Sequence, residues 1–460
     1  MSGKEPTSPS EPSTADRLRY LDLLRVVAIS AVVIGHWLLV SVTYSHGRLS
    51  GQDALDYINW GGWVTLGFQV MPVFFLVGGY VNARSWTSHR AAGQGWAAWV
   101  HGRAMRLLWP TTVYVVPMTL AFGLGVASGW NAKELSQAGW LTALHLWFLP
   151  AYLVVIAVTP LMLALHERWG LAVPVVMALA ACAIDLAAVG WHVRFVGFLN
   201  YLLVWGSMHQ WGFSWRDGRL TSPPGRPYLL SGIGLVALVA LIGPGPFPID
   251  MIGANHERVV NTGPPSAALL AFAAVQAGVV IALQGPASRL LDDPSWWRPV
   301  QRLTPAVMWV YLWHMVPVVV VALAVYRTSP VPQPAVGSWQ WWALRPVWLL
   351  VLGVLVTVLV LGLMRLERPL RRLPAGIDSP TAWSGPLVAA GLLAAGIGLA
   401  RLAIRGFAPG GHVATAALAT YALGIALLAI AARGGHDSTR PRKLRRPSET
   451  NSVKNPTSTG

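Results

Sequence analysis

The chain has 460 residues, of which 54% are hydrophobic and only 11% charged, and its mean hydropathy is +0.51. A soluble domain carries about a quarter charged residues, so this composition excludes an ordinary soluble enzyme and leaves a polytopic membrane protein. The formal net charge of +16 is a topology signal carried by loops, and no nucleic-acid partner is expected.

The first 16 residues, "MSGKEPTSPSEPSTAD", are too polar for a signal peptide, so a disordered cytoplasmic N-terminus over 1–16 and an uncleaved first span are expected. Apolar runs of spanning length, about 17 to 25 residues each, follow near 21–43, 60–83, 107–127, 141–165, 171–189, 195–213, 228–243, 267–285, 305–327, 345–364, 384–404 and 413–432. This predicts an all-α membrane bundle of about twelve helices. Placing the N-terminus inside puts about 25 of the 34 Lys and Arg residues in the cytoplasm and about eight outside, so both termini are expected inside. The tail over 433–460, with Lys443, Arg445 and Arg446, reads as a basic disordered segment able to touch anionic headgroups of membrane lipids. The longest outside loop, near 244–266, is Gly/Pro-rich and long enough to cover a site. A lone Cys182 excludes a disulfide framework and a Cys-based metal site. No metal centre and no tightly bound cofactor are expected.

Within the first apolar run, "LDLLRVVAISAVVIGHWLLVSV", stand Arg25 and His36. Ionisable groups in a bilayer are expensive and need a reason to be there. Their spacing corresponds to roughly 16 Å along a helix and about 20° around it, which predicts Arg25 near one membrane face and His36 near the midplane on the same stripe. Arg25 reads either as a snorkelling anchor or as a fixed cation, and His36 either as a neutral core histidine or as a general base. Asp22 lies three residues from Arg25, placed to pair with it or to remain a boundary carboxylate. Arg103 and Arg106 in "HGRAMRLLWP" share a helical face, as a phosphate grip or as positive-inside anchors. Gly78 and Gly79 permit close approach of a helix or a ligand. His145 opens the fourth span in "ALHLWFLPAY", and Tyr311 and His314 form either a packed or a substrate-facing pair in "VMWVYLWHMVP". Asp185 and His209 are polar residues within spans without an assigned role.

Together these blocks resemble the membrane-bound acyltransferase 3 family. The resemblance rests on the Arg25 to His36 motif, Arg103-x-x-Arg106, the Phe74, Phe75 and Gly79 block, "LWFL" at Leu146 to Leu149 and "YLWH" at Tyr311 to His314. It covers about residues 17–370 and implies a transmembrane acyltransferase domain over 17–372 with ten core helices. The helices over 373–432 are then an accessory pair, and a chain cut after Gly376 is expected to keep donor binding and some transfer. Many members have Ser where this chain has Gly78, so that hydroxyl is missing. The resemblance further implies acyl-CoA as donor, acetyl-CoA foremost, and a hydroxyl-bearing acceptor in a cell membrane. Arg103, Arg106 and Arg25 would hold the CoA phosphates, His36 would be the base, and Asp22, Tyr311, His314 and His145 would line the substrate site. The alternative is a multi-pass transporter or lipid flippase, which should show repeated halves with helices broken in corresponding positions.

Overall fold

The computed structural model describes residues 14–253, 259–328, 332–367, 377 and 381–433, so the expected disordered tail and nearly all of the N-terminal segment lie outside the described residues. The chain begins with α1 (Thr14–Leu39), a hairpin of β1 (Val40–Ser45) and β2 (Arg48–Asp53), then α2 (Gly61–Phe68), α3 (Met71–Ala91), α4 (Trp96–Ala127) and α5 (Ala132–Leu141). It continues through α6 (Phe148–Trp169), α7 (Ala172–Asp185), α8 (Asn200–Arg216), α9 (Arg226–Ile242), α10 (Ala267–Ala282) and α11 (Gln284–Leu291). The last third holds α12 (Pro294–Leu303), α13 (Val307–Trp313), α14 (Val316–Val321), α15 (Trp339–Glu367), α16 (Ser384–Arg405) and α17 (Thr415–Arg433).

Among the described residues eight helices are long and apolar enough to cross a membrane, or ten if each of two bent pairs counts as one span. Every apolar run found in the sequence is helical over most of its length. The runs near 195–213 and 228–243 become α8 and α9, each of 17 residues and too short to stand among the eight, and of the two only α9 is strongly apolar. The exterior accounts for the composition: only 17% of the spanning window of α15 and 11% of that of the α7 segment is buried. Such apolar surfaces need lipid around them.

Two features differ from the sequence reading. The first apolar run does not stay helical to its end, because Val40, Ser41 and Val42, two of them β-branched, enter β1 and pair with Asp53, Gln52 and Gly51 of β2. The broken helices, α10 with α11 bent by 48° and the Pro294–Trp313 segment with Val316–Tyr326 bent by 50°, are consecutive in the chain. They do not occupy corresponding positions in two halves, as the transporter alternative requires.

Several blocks that carried the resemblance have become core. Phe75 is fully buried and stacks on Trp205 at 4.5 Å, Leu146 and Leu149 are fully buried, and Phe74 leans on Phe148. Gly79 of α3 faces the His209 carbonyl and Gly212 of α8 with no room for a methyl group, so these glycines let two helix backbones touch.

Candidate active site

Three histidines from three distant segments meet at the end of the bundle where α1 finishes. His36 occupies the last turn of α1, four residues before the hairpin begins. The helix stops at Leu39 because the β1 pairing takes over, which moves His36 to the helix end. Its Nδ1 lies 2.8 Å from Nε2 of His314, in the α13–α14 break, and the ring planes are 8° apart. His314 Nδ1 in turn lies 2.7 Å from the Tyr311 carbonyl oxygen. His145, in the turn before α6, packs edge-on against His314 at 5.1 Å and accepts the Tyr311 hydroxyl at its backbone carbonyl. Neither ring nitrogen of His145 makes a hydrogen bond of normal geometry, although the Leu312 backbone is within electrostatic reach.

A cavity of about 940 Å³ opens beside this cluster. His36, His145 and Tyr311 line it, whereas His314 is fully buried and lies behind His36. Also lining it are Gln52 and Asp53 of the hairpin, Trp130 and Glu134 beside or within α5, and Ile252 and Thr262 of the loop expected to cover a site. Residues 254–258 of that loop lie outside the described residues. Burial, reinforced by the Asp56 and Asp250 charges, pushes the Asp53 carboxyl up to about 6 despite the hydrogen bond it accepts from the Leu55 N–H.

Ala403 and Ile404 of α16 also line this cavity. The turn after α16 brings Phe407 against Tyr114 and Phe122, and Phe407 N–H donates to the Gly139 carbonyl of α5 at 3.2 Å. Tyr114 packs in turn on His145 at 5.7 Å. Helix α16 and the turn after it, within the segment read from the sequence as accessory, thus stand in the wall behind the histidines.

The arginines gather elsewhere. Arg25 donates to Asp22 at 2.8 Å, so the expected i, i+3 pair forms. Arg103 is half-buried and donates through Nη2 to the Asn82 amide oxygen of α3; Asn82 Nδ2 lies 3.1 Å from His209 Nε2. Since the amide oxygen is accepting, Nδ2 donates and His209 Nε2 accepts, which gives His209 a place. Arg25 and Arg106 both lie within Coulombic reach of Arg103, and Arg106 is exposed. None of Asp22, Arg25, Arg103 or Arg106 lines the cavity. A Cβ at Gly78 would lie 2.6 Å from the Tyr152 hydroxyl, so the Tyr152 phenol fills the space beside this glycine. Asp185, the other unassigned polar residue, accepts from Asn200 at 2.7 Å and from the Ala267 N–H at 2.6 Å, capping α10.

Sequence reasoning missed Arg345. It is buried in α15, stacks on Trp341 at 3.6 Å and donates to the carbonyls of Val40 at 3.1 Å and Trp37 at 3.4 Å. Trp348 donates to the same Trp37 carbonyl at 2.9 Å, and Trp37 itself donates to the His314 carbonyl at 2.8 Å. A guanidinium placed on the unpaired carbonyls at the end of α1 holds the turn that carries His36. The signal was present in the sequence as a cation with tryptophans four residues before and three after it.

The chain is a multi-pass helical bundle in which His36, His145 and Tyr311 face a cavity and Arg25, Arg103 and Arg106, on α1 and α4, stand apart from it. Residues 18–365 match the acyltransferase 3 family, described as an acyltransferase domain. The chain belongs to this family, and it is a membrane acyltransferase. No curated protein and no solved structure matches the chain. The pair α16 and α17 lies beyond the matched segment.

Proposed function

We propose that the protein transfers an acyl group, acetyl foremost, from cytoplasmic acyl-CoA to a hydroxyl of an envelope glycan, a lipid-linked sugar or a secreted metabolite. In this reading both termini are cytoplasmic in the cell membrane, and the twelve apolar runs form the ten-helix core with one added pair. The observation that carries the reading is the division along α1 and α4: His36 faces the cavity at one end, and Arg25, Arg103 and Arg106 gather away from it.

Arg103 and Arg106 are suited to the CoA phosphates because guanidinium groups pair with phosphate oxygens through charge-assisted bonds. The rise from Arg25 to His36, roughly 16 Å, is comparable to a pantetheine arm, so the thioester reaches the histidine while the phosphates stay at the arginines. An acceptor hydroxyl in the cavity gives its proton to His36 as its oxygen bonds to the thioester carbonyl carbon. The carbon–sulfur bond then breaks, and the leaving thiolate takes the proton back from His36. Enclosure by the bundle limits hydrolysis by water.

Mass spectrometry of envelope glycans and extractable metabolites from a deletion strain tests this. One acyl mass increment should disappear and return with the wild-type gene but not with His36→Ala. Restoration by His36→Ala at the wild-type level would sink the proposal.

A further inference from the structure

We propose that His314 is a positioning residue that fixes the tautomer of His36, so that His36 presents an unprotonated Nε2. The inference rests on the reading of His36 as a base, and it follows from proton counting. A backbone carbonyl has only lone pairs, so the 2.7 Å contact between the Tyr311 oxygen and His314 Nδ1 requires the proton on Nδ1. A neutral imidazole carries one N–H, which leaves His314 Nε2 as an acceptor. His36 Nδ1, 2.8 Å from that nitrogen, must then be the donor. The remaining nitrogen of His36, Nε2, is left with its lone pair, on a ring that lines the cavity.

Geometry and surroundings favour this assignment over a charged pair. Near-parallel rings, 8° apart, whose centroids are 5.1 Å apart across a 2.8 Å N···N contact meet end to end, so the His36 N–H lies along the in-plane lone pair of His314, the direction such a bond prefers. Neither ring is ion-paired with a carboxylate among the described residues, so an imidazolium here would be buried without compensation. The neighbouring backbone is fixed too, because Trp37 donates to the His314 carbonyl at 2.8 Å. Two adjacent residues of α1 are thus tied to one residue of the α13–α14 break, and the His36 ring has one preferred orientation. When His36 accepts a proton at Nε2, its Nδ1–H bond to His314 becomes charge-assisted and strengthens.

The test is solid-state NMR of the full-length protein, labelled with ¹⁵N-histidine and reconstituted in phospholipid vesicles, with the His36 signals identified by their loss in His36→Gln. The wild type should show His36 protonated at Nδ1 and unprotonated at Nε2. His314→Gln, whose amide oxygen can still accept, should preserve that pattern, and His314→Phe should let the Nε2-protonated tautomer appear. A wild-type His36 protonated at Nε2 would overturn the assignment, and so would a His314→Phe spectrum identical to wild type. The spectrum needs no turnover, so a protein that failed to use acyl-CoA would refute the proposed function while its His36 tautomer could still be measured.

Discussion

His36, His145 and Tyr311 face a cavity of about 940 Å³, while Arg25, Arg103 and Arg106 line none of it. At the histidine end the side chains are held by one another and leave space for a molecule. At the arginine end the closest contacts are internal: Arg25 is spent on Asp22, and Arg103 on Asn82. Under the proposed function, the contrast means that the two substrates meet different surfaces: the acceptor enters the cavity, whereas donor phosphates replace hydrogen bonds that the arginines already make. Such exchange is favourable for a guanidinium because a phosphate supplies full charge where an amide supplies a dipole.

The comparison is broken most severely at the histidine. His36→Ala should lower acyl transfer by about 10² to 10⁴, the usual contribution of a positioned base, with thermal stability near wild type in a fluorescence melt. Unchanged turnover would remove His36 from the chemistry. Next comes the wall supplied by α16. A chain ending at Gly376 should still bind acetyl-CoA but transfer at least about tenfold more slowly, because an acceptor misplaced by about 1 Å costs that much or more. Ala403→Trp, which fills the cavity without removing a helix, should reproduce the loss. Full transfer by both would return α16 and α17 to an accessory role.

At the arginine end, Arg103→Ala should weaken acetyl-CoA binding by about 1.5 to 3 kcal/mol, the scale of a hydrogen bond to a charged group, with Lys restoring only part. Arg106→Ala should cost less, about 1 kcal/mol, since an exposed charge is screened. Equilibrium binding in vesicles separates the two, and equal or absent effects would make these residues topology anchors. The smallest effect belongs to Asp53. Its folded carboxyl titrates near 6 against an ordinary value of 3.8, so the protonated form supports the fold below about pH 4 and that support is lost as pH rises through 6. Asp53→Asn should therefore raise Tm slightly above pH 6 relative to wild type and lose that advantage near pH 4.

Much of this was legible in the sequence because charge and imidazole within apolar runs stand out without any structure. Arg25, His36, Arg103, Arg106, His145, Tyr311 and His314 were all found that way. Their grouping was not legible. The bond from His36 to His314 joins residues 278 apart, and no helical period reports a contact of that range. Asn82 was not singled out in the sequence, and its amide stands between Arg103 and His209. The hairpin escaped because Val40 to Val42 continue an apolar run, and helix and strand cannot be separated in so short a stretch. Gly78 shows a further limit, since the sequence could not show that the Tyr152 phenol of α6 packs into the space beside it.

The most direct test of the division between the two ends pairs two measurements on two variants in vesicles: equilibrium binding of acetyl-CoA, and incorporation of labelled acetyl into membrane or released acceptors. The account predicts a crossed pattern, with His36→Gln binding acetyl-CoA like wild type while transferring almost nothing, and Arg103→Ala binding weakly but recovering transfer at high donor concentration. If His36→Gln loses donor binding, or Arg103→Ala binds normally and still cannot transfer, the assignment of donor phosphates to one end and base chemistry to the other is contradicted.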